Sequence, residues 1–289
     1  MSDKILVEDS DCKMTGLERR RNGTDLPLIV AIHGGGCHAG YFDIPSYSLL
    51  DRAEAQGHSV MALNRPGYAG STALPDGAET LQNNATRINQ AIAGIWKARS
   101  DEAPGIVLIG HSIGAAITTI IASQGREWPL LGIAISGVMP TLSPLAAEAW
   151  SHLPRTGWME RPAESRDVLS FGAPGSYAPE AVLAARTANS RSACLEGFDI
   201  AFEWPRYYRD VTAAVDVPVH MRQAERDALW VVDAKELGSF ASSFVNAPSV
   251  DAAIIPDVGH CIDHHLVGSD FHDEQLAFAR DAARRDGPA

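Results

Sequence analysis

Cysteine is scarce in this chain. Four residues, Cys12, Cys37, Cys194 and Cys261, occur among 289, and no two of them form a CxxC pair. That leaves no zinc-finger or dithiol redox motif, and so low a density suits a reducing compartment, so the expected location is the cytoplasm. Basic charge is short as well. Lys and Arg number 24 against 36 Asp and Glu, a formal net charge of −12. Nucleic acids and anionic membranes both select a basic face, so neither is expected as a partner. An apolar leader is also missing, because Asp3, Lys4, Glu8 and Asp9 interrupt the first residues, and no signal peptide is expected.

Long apolar runs are missing too. Residues 103–125 carry no Asp, Glu, Lys or Arg, but Pro104, Gly105, Gly110 and Gly114 break the run. It reads as a buried strand, a glycine-flanked turn and a buried helix rather than a membrane span. What remains is ordinary: 45% hydrophobic and 21% charged residues, which excludes a disordered, collagenous or coiled-coil chain.

Along the chain, short apolar runs alternate with helical patterns. Two N-terminal strands precede residues 27–32 (PLIVAI), a run suited to a strand buried on both faces. A helix is expected over 45–56, a strand over 58–63, a helix over 79–99 and a strand–turn–helix over 105–123. Further strands are expected at 130–136, 217–222 and 250–255, and a closing helix over 271–285. Alternation of this kind predicts an α/β fold with a mostly parallel sheet of about eight strands and helices on both faces. The interval 138–212 breaks the rhythm with seven prolines and nine aromatics. So long a stretch cannot be one structureless loop, and it reads as a helical cap inserted into a core of residues 1–137 and 213–289.

Three motifs carry chemistry. Gly110, His111, Ser112, Ile113 and Gly114 follow one strand and open one helix, the context in which G-x-S-x-G presents a nucleophile. His33, Gly34, Gly35 and Gly36 follow another strand, where glycine lets backbone N–H groups approach a developing oxyanion. Asp227 and His260 sit in loops after two later strands, and the order Ser112, Asp227, His260 is that of a nucleophile-elbow hydrolase.

With these features, together with residues 64–71 and Trp230, the sequence resembles the α/β-hydrolase fold superfamily, in its capped esterase and lipase-like branch. The resemblance implies Ser112 as nucleophile, His260 as general base and Asp227 as the acid that orients it. It implies an oxyanion hole from the N–H groups of Ile113 and Gly35, with Gly36 as a further candidate. Asn64 departs from the family's pattern, which usually has Asp at that place. Glu225 is the nearest rival to Asp227, with Asp199 and Glu203 in the cap as others. His264 and His265 read as polar residues opening the next helix, and a metal cluster of His260, Asp263 and His264 is set aside because zinc ligands usually come from more than one element. His38, Trp158, Phe202 and Trp204 are candidates for the pocket wall.

The expected function is hydrolysis of a carboxylic ester or lactone of a bulky, largely apolar small molecule, with no cofactor and no metal. Carbon–carbon bond hydrolysis on the same scaffold and a non-catalytic ligand receptor are the alternatives. The sequence leaves a homodimer open.

Overall fold

The alternating runs arrange, in the computed structural model, around one eight-stranded sheet. Residues 3–9, 12–21 and 25–285 are described. Strands β1 (Asp3–Asp9) and β2 (Cys12–Arg19) pair antiparallel. Strand and helix then alternate: β3 (Leu28–Ile32), α1 (Leu49–Ala55), β4 (Val60–Leu63), α2 (Leu81–Arg99), β5 (Ile106–His111), α3 (Ile113–Ser123) and β6 (Leu130–Ser136). An inserted segment follows, with α4 (Pro144–Ser151), β7 (Trp158–Met159), α5 (Ala163–Phe171), α6 (Pro179–Arg186), β8 (Ser192–Ala193), α7 (Cys194–Phe198) and α8 (Trp204–Ala213). The sheet resumes with β9 (Val219–Ala224), α9 (Ala234–Ala241) and β10 (Val250–Ile255), and α10 (Gly268–Arg285) closes the chain. The spatial order β1-β2-β4-β3-β5-β6-β9-β10 is parallel from β4 onward, as the alternation predicts.

The central strands are apolar on both faces because both faces are covered. Side chains alternate across a strand, so Leu28, Val30 and Ile32 of β3 meet Ile88 and Ile92 of α2 and Ile117 and Ile120 of α3. Ile29 and Ala31 point the other way, into a layer with Leu49 and Leu50 of α1 and Leu276 and Ala279 of α10. Local capping sets the helix starts. Thr80 accepts from Asn83 N–H, Asp233 from Glu236 N–H, and Ser48 from Asp51 N–H. The Ser48 cap is why α1 begins at Leu49 rather than at residue 45.

Trp204, Tyr208 and Val211 of α8 join the apolar cluster of α2 and α3, so α8 lies in the layer over the sheet. The rest of the insert borders a cavity at the carboxyl end of β5. Ligands of parallel α/β sheets bind at that end of the strands. No helix among the described residues is long and apolar enough to cross a membrane.

Candidate active site

Ser112 sits between β5 and α3 at φ 57° and ψ −125°, in a region that L residues rarely occupy. The turn is this sharp because its neighbours leave no room. A Cβ on Gly114 would lie 2.1 Å from the Ile32 carbonyl oxygen, and one on Gly110 would lie 2.5 Å from Thr118 Oγ1. Both glycines are thus required by space, and the cramped turn leaves the serine side chain facing the cavity. Ser112 N–H donates to the Ser136 carbonyl at 2.8 Å, which ties the elbow to β6.

His260, in the loop after β10, places Nε2 3.0 Å from Ser112 Oγ. Its Nδ1 is 2.6 Å from Asp227 Oδ2, in the loop after β9. A carboxylate can only accept, so Nδ1 carries the proton and Nε2 is free to accept from the serine hydroxyl. Asp227 is fixed in turn by Leu229 N–H, which donates to its Oδ1 at 2.8 Å. The rival acids are engaged elsewhere. Glu225 accepts from Asp257 N–H, Asp199 from Leu81 N–H and Tyr207 hydroxyl, and Glu203 pairs with Arg206.

The 33–36 loop is held from behind. The Gly34 carbonyl accepts from His33 Nδ1 at 2.9 Å, from Arg65 Nη2 at 3.0 Å and from the Cys37 thiol at 3.4 Å. His33 Nε2 accepts from Arg65 N–H at 3.1 Å, which fixes the tautomer that donates from Nδ1. Burial, and then the Arg65 charge, hold His33 well below the usual histidine range, so it stays neutral. A trans peptide is planar, and its N–H points opposite to its C=O. Anchoring the Gly34 carbonyl therefore also sets the direction of Gly35 N–H. Gly34 lies against Ser112 and Gly35 against Ile113: ideal Cβ atoms there would be 2.9 Å from Ser112 Cβ and 2.8 Å from Ile113 Cδ1. Gly36 turns at φ 65°, with its face against Arg166.

Behind Arg65 stands a residue that the sequence does not single out. Glu196 of α7 binds Arg65 through Nη1 at 2.6 Å and Nη2 at 3.1 Å, and also accepts from the Tyr68 hydroxyl. Burial opposes the Arg65 charge, but Glu196 more than offsets it and holds the guanidinium above its usual range. No local pattern links residues so far apart in sequence. Beneath His260 lies another unflagged group. His111 stacks on Tyr41 at 4.7 Å, with its ring 4.8 Å from that of His260. Burial, then the neighbouring His260, push His111 down to about 3, so it does not compete for the proton. Tyr41 hydroxyl and His272 Nε2 both bind Asp263.

His264 and His265, expected to open the next helix, lie before it, since α10 starts at Gly268. Both are buried: His264 bonds the Tyr41 carbonyl, and His265 Nε2 accepts from Gly259 N–H, which braces the His260 loop. Among the described residues, no three His, Cys, Asp or Glu side chains come close enough to hold a metal ion.

The pocket wall also differs from expectation. Trp150, Leu153, Met159, Leu169 and Leu229 line the cavity over Ser112, with Arg161 and Arg166. His38 instead turns back to accept from Gly40 N–H. Trp158 packs on Tyr68, Phe202 on Phe198, and Trp204 is fully buried beside Tyr207 and Tyr208. Each of these aromatics found a partner within the segment or beneath it, so none was left for the cavity. Cys37 and Cys261 do reach the cavity, but burial pushes their thiols up to about 11 and about 12, away from the reactive thiolate.

A parallel sheet with a strained serine turn at its carboxyl edge defines the α/β-hydrolase fold. The chain belongs to the alpha/beta hydrolase family, whose model matches residues 29–277. Protein phosphatase methylesterase 1 of Pongo abelii is 28% identical over 123 residues, which is 41% of this chain and 29% of that protein. The match thus spans less than a third of the length of that relative. Among solved structures, the N-acyl homoserine lactonase AidH complexed with N-butanoyl homoserine superposes with a TM-score of 0.70 at 18% identity, covering 99% of this chain and 100% of that one. E-2-(Acetamidomethylene)succinate hydrolase gives a TM-score of 0.67 at 16% identity, covering 97% and 100%. At such identities the likeness is one of fold.

Proposed function

We propose that the protein is a serine hydrolase cleaving a carboxylic ester or lactone through an acyl-enzyme. The observation that carries this reading is the continuous hydrogen-bonded chain from Ser112 Oγ through the His260 ring to the buried Asp227 carboxylate. Ser112 Oγ attacks the carbonyl carbon as His260 Nε2 takes its proton, and Asp227 stabilises the imidazolium. The carbonyl oxygen, now an oxyanion, accepts from Gly35 and Ile113 N–H. When the tetrahedral adduct collapses, His260 returns the proton to the leaving alkoxide. Water, deprotonated by the same His260, then attacks the acyl-enzyme and frees the acid and Ser112.

The insert acts as a cap in this reading, and its Trp150, Leu153 and Met159 offer the apolar body of a small-molecule substrate a matching surface. The methylesterase among the similar sequences supports ester-bond chemistry. Labelling of wild type but not Ser112→Ala by a fluorophosphonate tests the nucleophile. A panel of esters, lactones and β-diketones then tests the bond. Turnover of β-diketones alone would replace ester hydrolysis by carbon–carbon cleavage.

A further inference from the structure

The cavity over Ser112 is lined by two guanidinium groups, Arg161 and Arg166, and by no Asp or Glu. This is unexpected in a chain of net charge −12. Among the described residues neither arginine enters an ion pair. The acids nearest Arg166 in sequence are drawn away: Asp167 and Glu164 both pair with Arg186, at 2.5 and 3.5 Å. Arg166 is fixed by one bond, Nη1 donating to the Ser190 carbonyl at 3.0 Å, and lies against the backbone of Gly36, next to the proposed oxyanion donor Gly35. Arg161 rests over the Trp150 ring at 5.5 Å and has no hydrogen-bond partner among the described residues. Burial, and then the like charge of Arg166, lower the Arg161 pKa, which places the two cations within each other's field.

Half-buried cations that face each other without a counter-charge cost stability, and a charge left unpaired in a cleft marks a functional site. The guanidinium fork matches a planar carboxylate through two parallel N–H···O bonds. We infer that Arg161 and Arg166 form an anion subsite and that the natural substrate is an ester or lactone bearing a carboxylate, its apolar body lying on the wall of Trp150, Leu153 and Met159. The inference rests on Ser112 being the reacting group. It narrows the substrate class from largely apolar to apolar at one end and anionic at the other.

The test has a kinetic and a binding arm. The kinetic arm compares kcat/KM for mono-(4-nitrophenyl) glutarate with that for 4-nitrophenyl pentanoate, and for 3-butanoyloxybenzoate with that for 3-methylphenyl butanoate. These pairs put the carboxylate on the acyl and the alcohol side in turn. At least one anionic ester is expected to be preferred by about 10- to 100-fold, the range supplied by charge-assisted hydrogen bonds. That ratio should collapse in Arg161→Gln and Arg166→Gln and be partly kept in Arg161→Lys. Fluorophosphonate labelling of the variants confirms that they are folded. The binding arm titrates glutarate, benzoate and inorganic phosphate into Ser112→Ala by calorimetry, with and without Arg161→Gln. Arginine-dependent binding of a carboxylate, even with no ester turned over, would keep the subsite and remove the hydrolase reading. Phosphate binding alone would overturn the carboxylate assignment. Neutral esters favoured in both pairs, together with no carboxylate bound, would overturn the subsite itself.

Discussion

Replacing Glu196 by Gln removes one charge from a pair that has no access to water. The side chains of Arg65 and Glu196 are 0% and 1% exposed and meet at 2.6 Å. Leaving one partner of such a pair uncompensated costs about 3–5 kcal/mol. At about 2.1 cal/mol/K per residue, a chain of 289 residues has an unfolding entropy near 0.6 kcal/mol/K, so Tm should fall by about 5–8 °C. The double replacement Arg65→Met with Glu196→Leu removes both charges, and most of that loss should return. Activity of the double variant should fall all the same. Arg65 Nη2 is one of three donors holding the Gly34 carbonyl, and with it the direction of Gly35 N–H. The double variant, which lacks that donor, should lose about tenfold or more in kcat for ester hydrolysis, since a misplaced oxyanion donor costs up to about 10²–10³-fold. Scanning calorimetry and steady-state kinetics on the three proteins separate the two effects. A double variant that is both stable and fully active would refute the link between the ion pair and the glycine loop.

Ser112→Ala should lower turnover by on the order of 10³-fold or more with no change in circular dichroism, since the nucleophile defines the reaction. Asp227→Asn should cost on the order of 10⁴-fold, because the histidine is then held in the wrong tautomer; Glu225→Gln and Glu203→Gln, with no bond to His260, should leave kcat within a few-fold. Gly114→Ala should abolish soluble expression, because its Cβ would overlap the Ile32 carbonyl. Stability should also fall with acidification. His33, His111, His220, His264 and His265 are buried with lowered pKa values, in each case chiefly through burial, and His220 and His265 reach about 4. Below about pH 6.5 the unfolded chain binds protons that the folded one refuses, so each such histidine contributes a slope of about 1.4 kcal/mol per pH unit toward unfolding. A Tm that stays constant from pH 7.5 to 4.5 would contradict this.

The sheet was legible because its strands are local events. Residues 27–32 read as a doubly buried strand from six adjacent residues, and residues 110–114 declared their turn because only glycine fits on either side of Ser112. Asp227 and His260 were legible from their places after strands, since register within a parallel sheet carries both loop ends to one edge. The wall of the pocket was not. Trp150 and Trp204 look alike in sequence, yet one faces the cavity and the other is buried at the start of α8 in the layer over the sheet, a choice made by how helices dock and not by periodicity. Glu196 was hidden for the same reason: its partner Arg65 belongs to another part of the fold. Arg161 and Arg166 belong to no motif, and only the fold brings both to the cavity.

The roof of the pocket is stitched down on two sides. Near the end of α5 the Ser170 carbonyl accepts from Cys261 N–H at 2.9 Å, and Leu266 N–H donates to Ser176 at 2.9 Å, so the α5–α6 hairpin is bonded to the chain that carries His260. On the other side Ser190 N–H donates to the Gly36 carbonyl and His38 N–H to that of Ala188, which bonds the same hairpin to the glycine loop. Lifting it would pull the His260 loop and the glycine loop apart together. Among the described residues, the stretch from α4 to β7 has no backbone bond to either loop. The α5–α6 hairpin is thus the anchored side of the cavity, and the stretch that carries Trp150, Leu153 and Met159 is the side whose backbone is bonded to neither loop.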